Sequence, residues 1–151
     1  MAHHQIATNK STLDFILAGN ATFTVRSTKS DTRYTYKVVN PKFDKADDKP
    51  ATLWMVKVLC GSDNESDYMT LGKITHGEFS TTQKSREAGI SMSTPSVIAF
   101  MWTLKNLVAG NTNFGVEIFH EGRCGRCGRK LTVPESIEAN YGPECVTKVG
   151  F

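Results

Sequence analysis

The stretch ATFTVRSTKSDTRYTYKVV, residues 21–39, keeps a period of two on either side of a polar pentapeptide. Phe23 and Val25 alternate with Thr22, Thr24 and Arg26. Tyr34, Tyr36 and Val38 alternate with Arg33, Thr35, Lys37 and Val39. Side chains on a strand point to opposite faces in turn, so the pattern predicts two half-buried strands joined as a hairpin through STKSD. The tyrosines then share a core face. Arg33 and Lys37 share the other, and Arg26 joins them if the register allows.

Working outward, STLDFILAGN (11–20) predicts a short helix. Ser11 suits its cap, Asp14 the capping-box acid and Gly19 its end. On the other side, NPKFDKADDKP (40–50) is charged and flanked by prolines, which predicts an exposed loop. TLWMVKVLC (52–60) is apolar on both faces except at Lys57, as a central strand is. GSDNESD has turn chemistry, DYMTLGKI predicts another strand, and GEFSTTQ a short further one. Five strands in succession predict a small antiparallel β-sheet or partial barrel.

TPSVIAFMWTLKNLVAG (94–110) is the clearest helix, with Thr94 as cap, Pro95 in the first turn and Gly110 at the end. Val97, Ile98, Met101, Leu104 and Val108 form its predicted buried stripe, widened by Phe100 and Leu107. Trp102 is expected in the core, because large aromatics bury area. The fold class expected is α+β: the sheet, one buried helix, and a C-terminal zinc-knuckle, treble-clef-like segment. The expected division is a flexible N-terminus over 1–12, a β-rich domain over 13–115 with its helix at 94–109, and a zinc-binding module over 116–151. His3 and His4 resemble a tag remnant and are set aside from site reasoning.

The chain has 151 residues, 39% hydrophobic and 22% charged, which fits a globular protein. No apolar run approaches the roughly 18–20 residues needed to cross a bilayer, and no secretory signal is evident. Membrane partners are therefore not expected. Net charge is +3, but residues 122–131 hold four basic side chains and no acid. Arg123, Arg126, Arg129 and Lys130 are thus candidates for an anionic partner, together with Arg26, Arg33 and Lys37.

Cys60, Cys124, Cys127 and Cys145 are the cysteines. Without a signal for export, C-x-x-C spacing points to metal rather than a disulfide. A tight turn with Gly128 beside Cys127 lets both sulfurs face one point. Cys145, just after Gly142 and Pro143, supplies a third thiolate. A closed structural zinc site wants four ligands, and His120, four residues before Cys124, is the expected fourth. Cys60 competes, but it ends an apolar strand, where a lone cysteine packs as a small hydrophobe. Structural Zn2+ is the expected cofactor. A catalytic metal is not expected, since no hydrolase or deaminase pattern surrounds the ligands. No P-loop, G-x-S-x-G, H-E-x-x-H or kinase motif is present either, and the chain is expected to be a non-enzyme. Asp63, Glu65 and Asp67 alternate as in a calcium loop, but Tyr68 and Ile74 stand where its glycine and glutamate are required. That acidic loop is instead a candidate contact for a protein partner.

HEGRCGRCGRKLTVPESIEANYGPEC, residues 120–145, resembles the C-terminal segment of a family of uncharacterised small proteins of bacteriophages, prophages and bacteria. The matching positions are Cys124, Gly125, Cys127, Gly128, Arg129, Leu131, Pro134, Ser136, Gly142, Pro143 and Cys145. Tyr141 stands where that family commonly has phenylalanine or isoleucine. FILAGNATFTVRS, TRYTYKV, GSDNESDYMTLGKI and TPSVIAFMWTLKNL also resemble its longer, phage-type members. The resemblance implies a phage or prophage origin, hence the cytoplasm of a bacterial host, and implies no activity. Two functions are expected from these features. The first is a zinc-stabilised protein that contacts nucleic acid or a host nucleoprotein complex through its basic residues. The alternative is a phage counter-defence inhibitor, for example an anti-CRISPR, that blocks a host complex through its acidic loops.

Overall fold

A computed structural model of the chain describes residues 4–6, 10–40, 53–61, 67–120 and Cys124. The predicted hairpin is present. Strand β2 (Asn20–Ser27) runs antiparallel to β3 (Arg33–Val39), with Phe23 opposite Tyr36 and Arg26 opposite Arg33. The sheet continues from β3 through β4 (Leu53–Leu59) and β5 (Tyr68–Thr75) to β6 (Glu78–Ser80). On the other side of β2 lies β7 (Val116–His120), and beyond it β1 (His4–Ile6). The seven strands have the order β1-β7-β2-β3-β4-β5-β6, and every pairing is antiparallel.

Both ends of the described chain contribute to this sheet. Residues 4–6 form β1, and Lys10 opens helix α1 (Lys10–Ile16). Residues 116–120 pair with β2 and belong to the sheet. VEIFH does alternate, with Val116, Ile118 and His120 on one face, but five residues beside a cysteine motif are too short a pattern to weigh. Ser11 lies inside α1 rather than at its cap, and Gly19 takes φ 131, the left-handed region that ends the local chain direction.

The core lies on one face of the sheet. Phe23, Val25, Tyr36, Val38, Val56, Val58, Ile74 and Ile118 face α1 and α3 (Pro95–Val108), which supply Phe15, Ile16, Val97, Phe100, Leu104 and Leu107. Tyr36 is fully buried, and its hydroxyl donates to the Ser96 carbonyl at 2.7 Å. Its ring meets Phe100 edge-on at 5.2 Å, and Phe79 of β6 reaches Phe100 at 5.6 Å. The indole N–H of Trp54 donates to the Leu17 carbonyl at 3.0 Å, tying β4 to the end of α1. Between Val56 and Lys57 the register with β5 slips by one residue, so Leu71 and Ile74 are both buried.

The buried face of α3 is rotated from the predicted stripe. Val97 and Leu104 are buried as expected, but Ile98 is 53% and Val108 59% exposed. Trp102, expected in the core, is 49% exposed. Thr103 and Asn106 take the buried positions instead. Each returns its polar group to the preceding turn, Thr103 to the Ala99 carbonyl at 2.9 Å and Asn106 to the Trp102 carbonyl at 2.8 Å. A polar side chain satisfied that way can be buried, and hydropathy alone does not register it. Thr94 precedes the helix in extended conformation, but its hydroxyl accepts from the Ser91 N–H at 2.9 Å rather than capping the helix.

Candidate nucleic-acid interface

The second face of the sheet holds the side chains that alternate with the core. The register sets Thr22, Lys37, Lys57 and Thr70 in one row across β2, β3, β4 and β5. Arg26 and Arg33 form a row to one side, and Met55 with Lys73 a row to the other. Arg26, Arg33 and Lys37 therefore share a face, as the alternation predicts. Lys57 and Lys73 join them, and neither was singled out by sequence reasoning. Their signal was present: each is a lone cation in a strand, and each falls on the same parity once the register is known.

These cations are not equivalent. The Arg26 guanidinium donates to Asp31 in the hairpin turn and to Glu117 on β7. The hydrogen bond to Asp31, and then its charge, hold Arg26 more firmly protonated, and the same contacts lower the Asp31 carboxyl. Arg26 is thus committed within the fold. Arg33 stands 3.9 Å from Asp31 with its side chain largely in solvent. The Lys37 ammonium lies 4.3 Å above the ring of Tyr68, which reaches across β4 on this face. Among the described residues no carboxylate pairs with Lys57 or Lys73.

Lys37 and Lys57 are direct cross-strand partners. Cβ atoms of such a pair stand roughly 4.5–5.5 Å apart, and like charges there oppose folding. Phe119 of β7 lies on the same face, beside Thr24. Thr24 shares a 2.7 Å hydroxyl contact with Thr35. The face therefore combines three half-buried lysines, an exposed arginine and two half-buried aromatic rings, and is buried on β2 at Thr22 and Thr24.

At the far end of β7 stand the first two of the expected metal ligands. His120 is 1% exposed, opposite Phe23 in the register, with its ring 6.1 Å from that of Phe15. Cys124 is fully buried and belongs to the core cluster. The register also sets His4 opposite His120, a place in the sheet that a tag-like pair of histidines does not predict. Cys60 is exposed, and its thiol lies 3.2 Å from the Asp67 carbonyl. The row His120, Phe23, Tyr36, Val58 puts three strand spacings, about 14 Å along the sheet, between His120 and Val58, and Cys60 lies two residues further on.

Cys127, Cys145, Arg123, Arg126, Arg129 and Lys130 lie outside the described residues, as do Asp63 and Glu65. Among the described residues no three metal-binding side chains stand together. Asp67 is half-buried, with its carboxylate folded over Gly61. No helix among the described residues is long and apolar enough to cross a membrane.

Residues 117–150 match a family of unknown function, DUF6011. The match begins inside β7, so the family segment is joined to the sheet through a shared strand. No curated protein and no solved structure matches the chain.

Proposed function

We propose that this chain is a non-catalytic binding protein that holds single-stranded nucleic acid on the basic face of its sheet. The observation that carries the reading is the Lys37–Lys57 register pair, with Lys73 one diagonal away. Two lysine stems side by side on neighbouring strands can seat one phosphate between their ammonium groups. Phe119 adds a flat ring on which a base can stack, the usual partner of a cationic groove in single-strand binding, while the Tyr68 ring holds the Lys37 ammonium. In this reading the sheet takes over much of the role expected of the C-terminal arginines. Arg123, Arg126, Arg129 and Lys130 remain candidates for the same anionic partner on their charge alone.

The reading includes a structural zinc ion on His120, Cys124, Cys127 and Cys145. The donor chemistry fits: an imidazole and a thiol four residues apart are both removed from water, and two further thiols follow. Zinc there supplies folding free energy to a segment that has little core of its own.

The test is fluorescence anisotropy of labelled single-stranded DNA, duplex DNA and RNA at low and physiological salt. Binding of single strands that weakens steeply with salt, and is lost in Lys37→Glu with Lys57→Glu, supports the proposal. Absence of binding to all three probes refutes it and turns attention to a host protein complex as the target.

A further inference from the structure

On the side of the sheet away from the lysines, the β2–β3 hairpin projects past α3 and leaves a cleft of 540 Å³. Small-molecule sites span roughly 300–1,000 Å³. Trp102 forms one wall. It is half in solvent, yet its indole N–H donates to the Phe114 carbonyl at 2.9 Å. The ring is therefore fixed before any ligand arrives, and a fixed aromatic loses little entropy on stacking. Tyr34 and Ile98 form further walls, and Ile98 is itself 53% exposed.

The hairpin end gives this cleft a polar rim. Lys29 and Ser30 line it, and no acidic residue does. Asp31, the neighbouring acid, is turned to Arg26. No described carboxylate pairs with Lys29. A fixed aromatic wall, an aliphatic wall and one cation at the mouth describe a complement in shape and charge.

We propose that this cleft binds a flat aromatic ring bearing an anionic group, of the size of a nucleoside monophosphate. The ring stacks on Trp102 and the anion meets Lys29. The inference is independent of the basic sheet face, which lies on the other side of the sheet.

The test follows the indole N–H signals of the nitrogen-labelled full chain by NMR. There are two tryptophans, and Trp54, hydrogen-bonded to Leu17, serves as the internal reference. The probes are AMP, adenosine and benzoate. AMP is expected to move the Trp102 signal with a dissociation constant at or below about 1 mM, leaving Trp54 unmoved. Lys29→Ala, at an exposed loop position, is expected to weaken AMP about 5–10-fold and adenosine not at all. A response to AMP alone assigns a nucleotide ligand, and a response to benzoate alone an aromatic carboxylate. No movement of the Trp102 signal with AMP or benzoate overturns the proposal. So does a Trp102→Ala variant that binds AMP as tightly as the parent, or an AMP affinity that Lys29→Ala leaves unchanged.

Discussion

Replacing Lys57 by methionine separates function from stability on the basic face. Methionine keeps a linear, half-buried stem and removes only the charge. The partner across the strand is Lys37, and two ammonium groups roughly 7 Å apart at a surface dielectric of about 60 repel by about 0.8 kcal/mol. Lys57→Met is therefore expected to stabilise the fold by about 0.5–1 kcal/mol. For a chain of this length that raises Tm by about 1–4 °C. Binding moves the other way. One lost phosphate contact lowers the slope of log affinity against log salt by about 0.7 for a single strand, which near 0.15 M salt is about fourfold in affinity. Thermal unfolding and anisotropy across a salt series read the two effects on one preparation. A variant that melts lower than the parent and binds single strands with the same salt slope refutes the reasoning, because the lysine pair is then neither a folding penalty nor a phosphate seat.

Tyr36→Phe removes the hydroxyl that donates to the Ser96 carbonyl and is expected to cost about 1 kcal/mol by urea unfolding near neutral pH. Burial, and secondarily Tyr34, push the Tyr36 phenol far above its ordinary 10.0, so the unfolded chain loses this proton first. The neutral phenol's stabilisation is complete below pH 10.0 and is lost as pH rises from there toward the folded value, and Tyr36→Phe should flatten that alkaline decline. At Gly72 an added Cβ would stand 2.2 Å from the Ser80 carbonyl oxygen and 2.7 Å from the Phe79 ring, so Gly72→Ala is expected to displace β6 and cost about 1–3 kcal/mol in the same assay. Elemental analysis is expected to find about one zinc per chain, lost in Cys124→Ser and Cys127→Ser and kept in Cys60→Ser. Retention of full zinc by Cys124→Ser would count against the ligand set.

What was legible in the sequence follows the strength of each local pattern. The β2–β3 hairpin could be read because period two held over both arms, and the register, which the sequence left open, brings Arg26 opposite Arg33. β1 and β7 could not, because three and five residues carry too little periodicity, and their place is fixed by long-range pairing with each other and with β2. On α3 the error has a single source. Thr103 and Asn106 satisfy themselves within the helix and turn inward, which rotates Ile98 and Trp102 into solvent. The same rotation opens a wall of the cleft at Ile98 and Trp102, where hydropathy alone predicts core.

The basic face shows the opposite case, in which each residue was visible and the constellation was not. Lys57 is an interruption in an apolar strand and Lys73 an ordinary strand lysine. Only the β3–β4 and β4–β5 registers turn them into neighbours of Lys37. β7 links that face to the family segment. Glu117 on its outward side holds Arg26, while His120, three residues on, faces inward against Phe15. A metal held at His120 would pin the end of the strand that carries Glu117, so stripping it should loosen the Glu117 contact of Arg26 and leave its Asp31 contact in place. If zinc is bound there, it and the basic face share β7, and metal removal is expected to alter single-strand binding even where the C-terminal arginines have been replaced.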